Sequence, residues 1–219
     1  MIHFSDIVNN PEIKAYIRAA DASLSALGYT EHSFAHVGRV SDVAANILLA
    51  LGRDARTVEL AKMAGYLHDI GNLVNRVEHS QSGAVMAFTI LRDMGMPPEE
   101  IAEITTAIGN HDEGTGVPVS DIAAALIIAD KSDVRRSRVR NSEEVAFDIH
   151  DRVNYSVTKS SLNVDKEGGT LTLKLSIDET VGTVSDYFEI FLERMLMCRR
   201  AAQKLSLAFK LTINGITMM

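Results

Sequence analysis

Apolar positions recur at helical spacing over most of the first 157 residues and alternate with polar ones further on. The first strong pattern runs from Pro11 to about Leu27 and stops at Gly28. A second helix is predicted from Ser33 to Leu51, with Val40, Val43, Ile47 and Leu51 as its apolar stripe and Gly52 behind it. Asp54 is a good cap for a third, which carries Leu60, Ala64 and Leu67 and is predicted to reach Gly71 before a connector at Asn72 to Arg76. His79 to Met94 reads as the next helix. Pro97-Pro98-Glu99-Glu100 then opens another, with Ile101, Ile104 and Ile108 on one face. After the turn-rich Gly114 to Pro118, Ser120 caps a helix predicted to run to about Arg136, and a further one is predicted over Glu143 to Val157. Beyond residue 158, Leu171, Leu173, Leu175 and Ile177 face one way and Thr172, Lys174 and Ser176 the other, with Gly168-Gly169 as a hairpin turn. A long amphipathic helix (Val184, Phe188, Phe191, Leu192, Met195, Leu196) and a last strand (Phe209, Leu211, Ile213) complete the chain. The pattern predicts a mainly α protein: a helical domain over residues 1–158 and a small α+β extension over 159–219.

Composition supports this reading. Aromatic residues are 5% of the 219, with no Trp, so aliphatic side chains must fill the interior, which suits packed helices. A formal net charge of −7 argues against a surface devoted to nucleic acid or anionic lipid, though not against a local basic patch. The single cysteine, Cys198, forms no internal disulfide, and no apolar run approaches the roughly 18 residues of a membrane span. The opening residues lack a signal-peptide layout, so a cytoplasmic protein with no membrane partner is expected.

Chemistry concentrates in the histidines. Five of seven fall between residues 32 and 111. His36 shares the face of Val40, Val43 and Ile47, and His111 extends the stripe of Ile101, Ile104 and Ile108. His79 lies one turn before Gly83 on the face of Met86 and Ile90, and Asp130 follows Ala123 and Ile127. Each of these side chains is thereby expected to point inward. Several imidazoles and carboxylates aimed into one core need cations or each other, and a metal centre satisfies them together. His3 and His150 read as surface or packing residues.

The adjacent pair in Tyr66-Leu67-His68-Asp69-Ile70-Gly71 resembles the signature of the HD superfamily of metal-dependent phosphohydrolases. His36-x-x-Arg39-Val40 resembles that family's first histidine motif and Asp130 its distal aspartate, over residues of about 30 to 140. The resemblance implies an HD-domain helical bundle. It also implies a metal set of His36, His68, Asp69 and Asp130, joined by His79 and His111 as in two-metal members. Asp69 would then bridge two divalent ions (iron, manganese, nickel, zinc or magnesium) and position a hydroxide for attack on phosphorus. A partial likeness to the HD-GYP branch is seen in His68-Asp69-Ile70-Gly71, in Asn110-His111-Asp112 and in Gly114-Thr115-Gly116-Val117-Pro118. The chain departs from that branch at Asn72, Asn110 and Val117.

Four residues are expected to face substrate: His32, one turn before His36; Asn110, beside His111; and Lys131 and Arg135, placed on one helical face at the start of the basic run Lys131 to Arg140. The expected partner is a small phosphorylated substrate, a nucleotide foremost. Two other readings stay open, a nucleotide-sensing module and an HD-type di-iron oxygenase. The Phe- and Met-rich face of the last helix either packs on its own hairpin or serves as a homodimer surface.

Overall fold

The computed structural model describes residues 1–140 and 149–219. Seven helices precede the undescribed residues: α1 (Phe4–Asn9), α2 (Pro11–Ala26), α3 (Phe34–Ala50), α4 (Ala55–Leu67), α5 (His79–Asp93), α6 (Pro98–Gly109) and α7 (Asp121–Lys131). Then come α8 (Ile149–Ser156), β1 (Val157–Asp165), β2 (Thr170–Ile177), α9 (Val184–Lys204), β3 (Ala208–Ile213) and β4 (Ile216–Thr217).

At the centre lies α7. Ile122 through Ala129 are all buried, so this helix is apolar around its whole circumference, as a helix enclosed by others must be. Helices α3, α4, α6 and α9 pack around it, and Asp130 sits in its last turn. Helices α3 and α4 approach closely because residue 65 is glycine: a Cβ there would lie 2.6 Å from the Ser41 Cα. Asn10, Ser33, Asp54, Ser120 and Thr183 cap their helices with side-chain oxygens, each accepting from backbone N–H groups of the first turn.

The C-terminal sheet has the order β1-β2-β3-β4. Strands β1 and β2 pair antiparallel across the Gly168-Gly169 turn, whereas β2 and β3 pair parallel, with α9 as the crossover. Leu171, Leu173, Leu175, Phe209, Leu211 and Ile213 are buried together with the inner face of α9. One hydrophobic cluster runs from Ile7 to Ile213 without a break between the helical part and the sheet. No described helix is long and apolar enough to cross a membrane.

Several boundaries differ from those predicted. Helix α4 stops at Leu67, and a 3-10 turn over Ile70–Leu73 replaces its expected last turn. Helix α7 ends at Lys131, not near Arg136: the chain turns at Ser132, and Arg136–Arg138 forms a separate 3-10 turn. Lys131 and Arg135 therefore do not share a helical face, and the reason is electrostatic. Asp133 is drawn inward, with its carboxylate 2.8 Å from His36 Nδ1 and 3.0 Å from Arg39 Nε. Of the helix expected over 143–157, residues 149–156 are helical as α8, Val157 already belongs to β1, and the earlier part lies outside the described residues. Helix α1 and strand β4 are additions to the prediction.

Candidate metal centre

The site is built where α3, α5, α6 and α7 converge on the turn that follows α4. His36 comes from the first turn of α3, His68 and Asp69 from the end of α4, and His79 from the start of α5. His111 follows α6, and Asp130 closes α7. His36, His68, His79 and His111 are each 2% exposed or less.

The four rings are anchored in one way. His68 Nδ1 donates to the Gly65 carbonyl at 2.8 Å, His111 Nδ1 to that of Ile108 at 2.6 Å, and His79 Nδ1 to that of Arg76 at 3.1 Å. His36 Nδ1 donates to the Asp133 carboxylate at 2.8 Å. With Nδ1 of each ring donating away from the cluster, every Nε2 is turned toward its centre. Asp69 stands between the rings. Its Oδ2 lies 3.2 Å from His68 Nε2 and 3.5 Å from His36 Nε2, while its Oδ1 lies 3.5 Å from His79 Nε2 and 4.0 Å from His111 Nε2. Asp130 Oδ1 completes the first side, 3.4 Å from His36 Nε2 and 3.7 Å from His68 Nε2.

These donors suit divalent cations. His36 Nε2, His68 Nε2 and Asp69 Oδ2 are buried and make no hydrogen bond, a costly arrangement unless a ligand satisfies them. Two triads, His36/His68/Asp130 and His68/Asp69/His111, each bring their donor atoms within 4.8 Å of one another. Imidazole nitrogen and carboxylate oxygen form an N/O set for borderline or hard metals. Cys198 takes no part: it is fully buried on α9, and burial pushes its thiol up to about 12.

Charge divides the cluster into two halves. Burial opposes protonation of His68, but Asp69 and Asp130 outweigh it and raise the group to about 10. His36 is also raised, with Asp130, Asp133 and Asp69 overcoming burial and the Arg138 charge. His111 is held well below the usual imidazole value by burial and by the cations of His68 and Lys131. His79 is lowered by burial and by Arg76, against the pull of Asp69. Against the cost of burial, Asp130 and Asp69 stay well below the ordinary carboxylate range because cations flank them, Lys131 and the histidines for Asp130 and His68 for Asp69.

The four residues expected to face substrate occupy different places. His32 lies beside the cluster, its ring 5.3 Å from that of His36, and donates from Nδ1 to the Thr30 carbonyl at 2.7 Å. Asn110 turns back to its own helix, donating to the Thr106 carbonyl at 3.0 Å. Lys131 is buried, with Nζ 2.8 Å from Asp130 and 3.0 Å from Glu113. Arg135 meets Asp133 at 2.8 Å and Glu31 at 3.4 Å.

The residues that sequence reasoning missed support the site from outside. Asp133 fixes the His36 ring and is itself held by Arg39, Arg135 and Arg138; no local pattern marks it, because the chain has left the helix at Ser132. Asn72 donates to Asp69 Oδ1 at 2.9 Å. Arg194 of α9 pairs with Glu113 at 2.7 Å, so that a chain of ion pairs, Arg194 to Glu113 to Lys131 to Asp130, ties the C-terminal helix to the cluster.

The model of the HD domain matches residues 33–156, more than half of the chain and all six clustered residues. The chain belongs to the HD domain family. The match is to the HD domain as a whole and distinguishes no branch within it. An uncharacterized protein of Methanocaldococcus jannaschii is 23% identical over 198 residues, covering 80% of this chain and 74% of its own. Among solved structures, the crystal structure of a predicted HD superfamily hydrolase from an uncultured Thermotogales bacterium aligns with a TM-score of 0.43 and 23% identity. That alignment covers 61% of this HD protein and 75% of the other chain.

Proposed function

We propose that this HD protein is a metal-dependent phosphohydrolase that holds two divalent cations with His36, His68, Asp69, His79, His111 and Asp130. It acts in the cytoplasm on a small phosphorylated substrate, a nucleotide foremost. The observation that carries the reading is the placement of Asp69, whose two oxygens each face a different pair of histidines. A carboxylate so placed can be shared between two ions, with His36, His68 and Asp130 on one side and His79 and His111 on the other. Divalent cations in such a site supply Lewis acidity toward phosphoryl oxygens and lower the pKa of water.

The chain's own residues prepare this chemistry. Asn72 fixes the rotation of Asp69 through its Oδ1, and the Gly65, Ile108 and Arg76 carbonyls with Asp133 hold the imidazole protons on the far side of each ring. Lys131 neutralises the outer oxygen of Asp130 and leaves its Oδ1 facing the histidines. His32 lies beside His36 as a neutral imidazole, held well below its usual value by burial and by Arg138.

The test is hydrolysis of a panel of phosphomonoesters, phosphodiesters, nucleotides and cyclic dinucleotides with manganese, iron, nickel or magnesium. Metal-dependent turnover is expected, with a loss of at least about a hundredfold in Asp69→Asn. A nucleotide bound and left intact under every metal would replace this reading by a sensor, and oxygen uptake by an iron-loaded protein would replace it by an oxygenase.

A further inference from the structure

A cavity of about 490 Å3 opens beside the histidine cluster, within the range of small-ligand pockets. Its lining comes from five parts of the chain: Tyr29 and His32 before α3, Arg76 before α5, Arg138 after α7, His150, Asp151 and Asn154 on α8, and Phe191 and Arg194 on α9, so that one carboxylate, Asp151, shares the cavity with the cations. Three guanidinium groups from distant positions thus converge on one small volume in a protein of net charge −7.

Their partners differ in a telling way. Arg138 is buried, with Nε and Nη2 donating to the Glu31 carbonyl, and Asp133 Oδ2 lies 3.9 Å away. Arg194 is neutralised on one side by Glu113 and rests over the Phe191 ring, 4.6 Å from its centroid. Arg76 meets no carboxylate among the described residues. Its contacts are the Asn72 amide oxygen at 3.5 Å, the His79 ring with Nε2 at 3.2 Å, and the Tyr29 ring at 5.7 Å. A guanidinium with no carboxylate partner among the described residues, in contact with His79 and braced on an aromatic face, is poised for an anion. Forked N–H groups suit paired phosphate oxygens better than a single lysine would.

We propose that this cavity is a second anion site, in which Arg76, with Arg138 and Arg194 behind it, holds a phosphate group other than the one presented to the metal cluster. The substrate is then a compact polyphosphorylated molecule, a nucleoside polyphosphate or a bisphosphorylated small molecule, and α9 is part of its binding site. This assignment rests on the phosphohydrolase reading for the identity of the scissile group, though the anion site itself does not depend on turnover.

Binding of inorganic pyrophosphate to the full-length protein, measured by calorimetry with manganese present and again in excess chelator, separates the two. Saturable binding is expected in both conditions, weakened at least about tenfold in Arg76→Gln and in Arg194→Gln, with Arg76→Lys recovering part of the loss. Circular dichroism of each variant checks that the fold is retained. Inorganic phosphate should bind more weakly than pyrophosphate, and a nucleoside diphosphate compared with pyrophosphate tells whether a nucleoside or a bare second phosphate fills the cavity. Wild-type protein that ignores pyrophosphate up to millimolar concentration, or folded arginine variants that bind it as wild type does, would overturn the site. Pyrophosphate binding without hydrolysis of any substrate would keep the site and discard the phosphohydrolase.

Discussion

His68 carries the most pH-dependent consequence at the scale of single residues. Without metal its imidazole is raised to about 10 by Asp69 and Asp130 against the cost of burial, so it holds a proton at neutral pH. A metal needs the neutral ring, so binding must expel that proton, and affinity rises with pH up to about 10 and falls as the solution is acidified. Titration of the chelator-stripped protein with manganese at pH 7, in two buffers of different ionisation enthalpy, should show release of about one proton or more per protein. Binding with no proton release would mean that His68 enters it neutral. The six clustered residues were legible in the sequence because inward-facing positions and the His68-Asp69 pair mark them without knowledge of the packing. Asp133 and Arg194 were not. The first acquires its role only when the chain turns at Ser132 toward His36, 97 positions earlier, and the second only when α9 packs on α7.

Elements are set here by close approach as much as by propensity. The turn after α4 presses against α5 at Gly71, where a Cβ would lie 2.0 Å from the His79 carbonyl and 2.4 Å from the Gly83 amide. No side chain fits there without moving α5, and α5 carries His79. Gly71→Ala is therefore expected to destabilise the fold by about 2 kcal/mol or more and to weaken metal binding together with it. Urea unfolding and a metal titration check both, and an alanine variant with unchanged midpoint and affinity would show that α5 yields freely. Local signals explain which elements were predicted well. Asp54, Ser120 and the glycines after α2 and α3 punctuate the sequence plainly, whereas the run from Lys131 to Arg136 contains nothing that forbids a helix. What stops α7 is the attraction of Asp133 to His36 and Arg39, which lie far outside any window of neighbouring residues. The six residues of α1 form too short a pattern to stand out, and they are held by Ile7, buried in the main core.

Over the whole molecule, buried carboxylates paired with cations link the parts. Burial alone would raise Glu113, but Lys131 and Arg194 hold it below the usual carboxylate range; Asp133 is depressed likewise by the His36 hydrogen bond and by Arg138. Groups depressed in the folded state contribute stability that is full above their unfolded pKa of about 4 and is lost as pH falls through the folded value. The protein should thus lose at least about 2 kcal/mol between pH 6 and pH 3, read as a lower urea midpoint by circular dichroism. Equal midpoints at the two pH values would show that these pairs contribute nothing net.

The thiol of Cys198, fully buried on α9, which packs on the central helix, adds a use for this architecture. With its proton held up to about 12 and its surface fully covered, it is out of reach of any alkylating reagent while α9 stays docked. Labelling of the single cysteine therefore keeps time for the undocking of that helix, a stopwatch that the chain carries without any engineered probe.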